Sequence, residues 1–460
     1  MTVDLVLKGG LVVFEQDEVQ VDLAIDRGKI ITIGDPSGMP PARQLLDLSG
    51  LIILPGLVDP HCHFREPNPL AEEDFGTGTR AAAAGGVTTI LEQPVDTPPT
   101  TTPERFAEKL TLVQPKSYVD FGLWGGVVPD NLDCIQPLAK VGACAFKAFI
   151  CSSDPVYPMI DDGRLLEAMR RIAQVGGILA IHCENQAIIE FYQARLAAAE
   201  VVTPLDHARS RPLIAEVEAI QRMILLARET GVRLHILHVS SAAGVEVVTA
   251  ARRQGQAVTL ESCPHYLVLT EEALNEAGPY AKCNPPLRNE ANVSALWQLL
   301  RAGQIDCIVS DHSPYTSEDK AKGLADIRLA PPGINGLEVG LPLMLSEGVN
   351  KGRLTLVELA RYMSTNPAKL FGLYPRKGRL GIGADADLVI VDPVQTWTVE
   401  AAGLQTKNKW SPFDGWQLQG KVIRTILRGQ TVYHEGEFSA GPGYGLYLPG
   451  QLGNSSRNDI

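Results

Sequence analysis

Gly177-Ile178-Leu179-Ala180-Ile181-His182-Cys183-Glu184 and Arg233-Leu234-His235-Ile236-Leu237-His238-Val239-Ser240 frame the stretch that decides the fold. Each is an apolar run of strand length that runs out into histidine. Between them, positions 214–230 repeat their apolar residues at helical spacing. Apolar runs without alternation belong to strands buried on both faces, which is the condition of a parallel sheet covered by crossover helices. The stretch therefore predicts a strand–helix–strand unit with His182 and His238 near the carboxyl ends of its strands.

The same alternation extends in both directions. Strand-like runs recur at 56–63, 86–94, 119–127, 143–150, 257–266 and 305–312, and helical patterns at 163–175, 243–253 and 293–302. Eight such units predict a (β/α)8 TIM barrel. An open doubly wound sheet has the same periodicity and stays as the alternative, because periodicity does not report closure. The two ends read differently. Short β-formers cluster around Gly-rich turns at 4–14, 21–26 and 29–33, and again at 386–391, 422–427 and 431–433. These predict a small β-sandwich domain assembled from both termini. The expected division is 1–54 plus 376–460 for the sandwich and 55–375 for the barrel. From Ser439 onward, Gly, Pro, Asn and Ser predict a loosely ordered tail.

Composition narrows the function. The chain has 460 residues, 45% hydrophobic and 20% charged, enough for a substantial core. Its 41 basic against 53 acidic residues leave a net charge of −12, which argues against a nucleic-acid partner. No basic, apolar leader opens the sequence and no apolar run is long enough to span a bilayer, so the expectation is a cytoplasmic protein with no membrane partner. Eight cysteines are too sparse for a disulfide scaffold; Cys144, Cys151, Cys183 and Cys307 lie in apolar runs and read as buried thiols.

The polar residues inside those runs carry the chemistry. His61 and His63 in Asp59-Pro60-His61-Cys62-His63 are two apart on a strand, so both imidazoles face one side. His182, His238 and Asp311 end three further runs, where a barrel opens its active-site face. Four imidazoles and a carboxylate on one rim suit zinc or another first-row metal. Lys147, in Phe146-Lys147-Ala148-Phe149, is costly to bury charged. It reads as a snorkelling side chain, a Schiff-base nucleophile or a carbamate bridging two metals, and spacing does not choose among these. Gly85-Gly86 and Gly125-Gly126 lack the Lys-Ser/Thr of a phosphate loop, and Ser240-Ser241 lack triad partners. His207, His235 and His434 have no partner pattern and read as structural or surface residues, and His312 as support for its neighbour Asp311.

With Pro55-Gly56 ahead of the His-x-His and Gly383-Ala384-Asp385-Ala386-Asp387 near the carboxy end, the chain resembles the amidohydrolase superfamily, and within it the cyclic amidases. The resemblance implies a small-molecule cyclic amide as substrate and two divalent metal ions per chain, taken as Zn2+. His61, His63 and Asp311 would bind one ion and His182 and His238 the other. Lys147, carboxylated by carbon dioxide, would bridge them. It further implies a hydroxide shared by the metals, Asp311 as the catalytic proton shuttle, and a homotetramer. Runs such as Leu123-Trp124-Gly125-Gly126-Val127-Val128-Pro129 and Glu261-Ser262-Cys263-Pro264-His265-Tyr266 resemble the allantoinase branch, implying opening of the hydantoin ring of allantoin to allantoate. Arg65 in His61-x-His63-x-Arg65 resembles the dihydroorotases, although Val95 stands where their carboxylate-sharing Asn would be. Asn335 resembles the hydantoinases (dihydropyrimidinases), although Ser152 replaces their Tyr. Arg65, His265, Asn284 and Asn335 are the expected substrate-binding residues.

Overall fold

Parallel strands form where the apolar runs predict them: β1 (Leu57–Cys62), β2 (Val87–Glu92), β3 (Asp120–Leu123, resuming at Gly125–Gly126), β4 (Phe146–Phe149), β5 (Ile178–His182), β6 (Arg233–Ile236), β7 (Val258–Ser262) and β8 (Cys307–Ile308). The structure is a computed structural model that describes residues 2–68, 72–154, 156–198 and 202–452. Each strand pairs in parallel with its successor, through registers such as Phe149↔His182 between β4 and β5. The ring closes just beyond β8. His312 bridges Cys62 in parallel, and the His63 N–H donates to the His312 carbonyl at 2.7 Å. The fold is a (β/α)8 barrel, and the open-sheet alternative is set aside by that closure.

Local chemistry fixes the helices between strands. Asp162–Gln174, Ala242–Arg253 and Glu290–Arg301 begin behind Asp161, Ser241 and Asn289, each of whose side chains accepts an otherwise unpaired first-turn N–H. Leu213–Thr230 ends on Gly231 at φ 71°, a left-handed conformation that glycine adopts without steric cost. The run at 257–266 is shorter as a strand than its apolarity suggests. Pro264 opens a helical turn, Pro264–Val268, where its missing N–H leaves no bond unmade. Among the described residues, no helix is long and apolar enough to cross a membrane.

Both termini build the second unit. Val3–Lys8 lies between Asp22–Asp26 and Ala42–Asp47 in a four-stranded sheet. The facing seven-stranded sheet joins Leu11–Val13 and Ile52–Pro55 to Leu388–Thr398 and Gln417–Leu427. Leu7, Leu23 and Ile25 from one sheet pack with Ile53, Leu388 and Ile390 from the other in a shared core. This is the β-sandwich made from both chain ends. The tail corrects its expectation through residue 452. Leu448 N–H donates to Phe121 O at 2.7 Å, Gly450 N–H to Gly142 O at 2.9 Å, and Tyr447 bridges Phe121 in parallel. Turn-forming composition is here compatible with order because the barrel supplies the backbone partners. Residues 453–460 of that tail lie outside the described residues.

Candidate active site

The carboxyl ends of the barrel strands bring the predicted polar residues to one place. His61 and His63 leave the end of β1 on the same side, and their Nε2 atoms are 3.2 Å apart. Asp311 follows β8, with Oδ1 3.2 Å from His61 Nε2 and 3.5 Å from His63 Nε2. His182 ends β5 and His238 lies two residues past β6; His182 Nδ1 faces His238 Nε2 at 3.0 Å. Lys147 enters from β4 with its Nζ 4.4 Å from the centre of the Phe149 ring. Lys147 is fully buried, and its Nζ has no hydrogen-bond partner among the described residues.

Burial sets the protonation states. It drives His63, His182 and His238 well below the usual imidazole range, so all three are neutral and carry a lone pair. It pushes Lys147 down to about 8 despite the carboxylates of Asp311 and Glu261, and it pushes Asp311 up. His61 Nδ1 is bonded to Glu261 Oε1. Its Nε2 faces Asp311 Oδ1. Two imidazole nitrogens and a carboxylate oxygen thus converge within 3.5 Å of one another at Glu261-anchored His61, a geometry that a cation would also satisfy. The donor set (imidazole nitrogens, carboxylate oxygen and an uncommitted amine) fits first-row divalent metal ions.

Backbone geometry supports the arrangement. His238 and Asp311 take positive φ values of 36° and 45°, and Arg65 takes 57°. Non-glycine residues rarely occupy this region, and they cluster at sites that over-determine them. Glu92, at the end of β2, accepts from the N–H groups of Phe64 and Arg65 at 3.1 and 3.3 Å and holds that turn.

A half-open pocket lies in front of these groups. Arg65, Asn284, Ser313 and Tyr315 form its far wall. Asn284 donates to Ser153 Oγ at 3.0 Å and leaves its own Oδ1 without a partner. Two other predicted residues lie elsewhere. Asn335 donates its amide to the carbonyls of Asn408 and Trp410 at 3.0 and 2.8 Å and does not line the pocket. His265 stands beside Asp311 and Cys263, and burial takes it down to about 3.

Supporting residues escaped sequence reasoning. Glu261 bonds His61 through Oε1 and His235 Nε2 through Oε2 at 3.0 Å, so His235 belongs to the site's support. Burial alone would raise Glu261, but His61 and His235 outweigh it and hold its pKa far below the carboxylate range. Glu184 accepts from His182 Nε2 at 2.7 Å and is itself paired with Arg211. The available signal was a glutamate inside or directly after an apolar strand, but nothing in the spacing joined it to a histidine.

Comparison with known proteins agrees with this geometry. Residues 52–432 match the family model described as the amidohydrolase family. An allantoinase of Salmonella newport (strain SL254) is 39% identical over 439 residues, covering 94% of this chain and 96% of that protein. The L-hydantoinase (dihydropyrimidinase) of Arthrobacter aurescens superposes with a TM-score of 0.95 at 38% identity, over 97% of this chain and 100% of the other. A dihydropyrimidinase from Brevibacillus agri does so with a TM-score of 0.90 at 32% identity, over 96% and 98%. The chain belongs to the amidohydrolase family.

Proposed function

We propose, from that membership and the geometry of the barrel mouth, that the protein is a metal-dependent hydrolase of cyclic amides, and that its substrate is allantoin, opened at the hydantoin ring to allantoate. The observation that carries the metal centre is the convergence of His61, His63, Asp311, His182 and His238, with His61, His63 and Asp311 offering ligand atoms close together. His61, His63 and Asp311 would hold one ion and His182 and His238 the other, with Zn2+ the metal favoured by the imidazole-rich set. Lys147 would bridge them as a carbamate. Its neutral amine, far more populated than in an ordinary lysine because burial takes the ammonium down to about 8, adds to carbon dioxide and releases one proton. The metal ions supply Lewis acidity, which makes water a nucleophile near neutrality and polarises the ring carbonyl.

The chain's own residues do the rest. Asp311, made more basic by burial, accepts a proton from the attacking water at its carboxylate and returns it to the leaving ring nitrogen. Glu261 and Glu184 fix the orientation of His61 and His182. Asn284 and Arg65 would hold the ring and its substituent. Allantoin is favoured by the 39% identity to an allantoinase over 94% of the chain. A second reading, hydantoins with other substituents, is favoured by the TM-score of 0.95 to the L-hydantoinase. Homotetrameric assembly, implied by the family resemblance, and a cytoplasmic location and the domain division at 54/55 and 375/376, both read from the sequence, belong to the same proposal.

A hydrolysis panel of allantoin, dihydroorotate, hydantoin and dihydrouracil with metal-loaded protein tests the reading. Allantoin should give the highest kcat/KM, and a strong chelator should abolish turnover. A dihydroorotate value about tenfold above that for allantoin overturns the substrate, and full activity of metal-free protein overturns the centre. Lys147→Ala should lose both metal and activity, with partial recovery in small carboxylic acids that replace the carbamate. A fully metallated, active Lys147→Ala variant overturns the bridge.

A further inference from the structure

The Arg65 guanidinium, facing the pocket opposite the histidines, is already engaged. Its Nη1 donates to Asp154 Oδ2 at 2.7 Å, and its Nη2 to Ser313 Oγ at 3.1 Å and Tyr315 OH at 2.7 Å. Its Nε lies 3.6 Å from Glu72 Oε2. Arg65 and Asp154 are both more than nine-tenths buried; Glu92 fixes the backbone of residues 64 and 65, and Asp154, Ser313 and Tyr315 hold the guanidinium itself. Asp154 is anchored in turn, because its Oδ1 accepts the Val156 N–H at 3.0 Å.

A substrate carboxylate would normally take an arginine by two parallel N–H bonds. Here both Nη2 hydrogens and one Nη1 hydrogen are used; the Nε hydrogen is turned toward Glu72 at 3.6 Å without a hydrogen bond, so beside Asp154 one Nη1 hydrogen is left. Beside it, the Asp154 carboxylate retains acceptor capacity. One free donor adjacent to one free acceptor matches a neutral amide or urea edge, whose carbonyl accepts and whose N–H donates. It mismatches a carboxylate, which would bring a second negative charge against Asp154 with Glu72 close behind.

We infer that the Arg65–Asp154 pair is the subsite for an uncharged ureido or amide substituent on the ring, and that Asp154 is the residue that rejects rings bearing a carboxylate. This rests on the proposed cyclic amide hydrolysis and assigns specificity within it. Arg65 in this protein donates to a carbonyl, and Asp154 both neutralises it and accepts from the substituent's N–H.

The test uses one ring with three substituents: hydantoin, allantoin and hydantoin-5-acetate, with metal-loaded wild type, Asp154→Asn and Asp154→Ser. In the wild type, kcat/KM for allantoin should exceed that for hydantoin-5-acetate by about 100-fold or more. In both variants that ratio should shrink at least about tenfold, with the acetate rising and allantoin falling. Unsubstituted hydantoin should lose less than allantoin does, whereas a merely structural role of Asp154 would lower all three rings alike. An equal loss on all three rings, or no gain for the acetate, overturns the inference. Binding by calorimetry is read in parallel. If no ring is opened, the proposed activity fails by itself, and the ratio of the allantoin and hydantoin-5-acetate dissociation constants in wild type and variants decides the role of Asp154. Equal binding of the two by the wild type, or binding of neither, overturns it.

Discussion

Two of the buried clusters of charged and titratable side chains among the described residues, one at each end of the barrel, are built on opposite rules. At the carboxyl ends of the strands, imidazoles and a carboxylate face one another, and Lys147 Nζ has no hydrogen-bond partner among the described residues. At the amino end of β3, Asp120 meets Asp385 and Asp387 from the segment leading into the sandwich, and here cations lie between the carboxylates. Lys377 Nζ is 2.7 Å from Asp120 and 2.6 Å from Asp387, Lys29 is 2.6 Å from Asp385, and Arg428 pairs with Asp120. By composition the lower cluster, with three carboxylates, looks as capable of holding a cation as the upper one. Its cations are already supplied by the chain. The lower cluster joins barrel to sandwich; the upper one is arranged for something from outside.

That contrast can be broken from either end, and the largest effects should fall on different observables. Asp311→Asn keeps the shape of the upper cluster but removes the proton acceptor, so kcat should fall about 10²- to 10⁴-fold while the melting temperature stays close to the wild type. Lys377→Met should do the reverse. Removing the shared cation leaves buried carboxylates uncompensated, which costs about 3–5 kcal/mol, with kcat/KM of the surviving folded enzyme unchanged. Thermal melts and steady-state rates on both variants separate the two roles. A stable, active Lys377→Met protein would mean that the lower cluster binds the halves less than its geometry suggests.

The upper cluster was largely legible in sequence because histidine, lysine and aspartate are conspicuous inside apolar runs. His61, His63, Lys147, His182, His238 and Asp311 lie in or just after strands that their apolar neighbours define. Closure was not legible, since the His312–Cys62 bridge joins residues remote in sequence. The commitments of single amides and carboxylates were hidden for the same reason. Asn335 turns to carbonyls of residues 408 and 410, and Asp154 reaches Arg65 across 89 positions. No periodicity encodes such pairs.

Glu261 sharpens the comparison because it is an upper-cluster carboxylate arranged like a lower one, with His61 on one oxygen and His235 on the other. Its expected role is orientation. Glu261→Gln should weaken metal affinity about 10- to 100-fold, measured by competition with a chromogenic chelator. Unchanged affinity would reduce the His61–Glu261–His235 chain to packing.

The smallest expected effect concerns how far the lower face extends. Beyond Arg428, the segment that follows the sandwich returns across the barrel: Leu446 N–H donates to Asp120 at 2.8 Å, and the Tyr447 hydroxyl to Gly142 O at 2.9 Å. Asp120 thus accepts from the tail as well as from Lys377 and Arg428, which makes the tail part of the lower network. Tyr447→Phe removes one neutral hydrogen bond but keeps the ring against Phe121, 5.7 Å between centres. The loss should be about 0.5–1.5 kcal/mol in the midpoint of urea unfolding, with no change in kcat/KM. Adding Lys377→Met should give a combined loss that differs from the sum of the two, because Tyr447 anchors the segment whose Leu446 N–H bonds Asp120, the partner of Lys377. Strict additivity would separate the tail from the network, and leave Tyr447 as an anchor for its own segment alone.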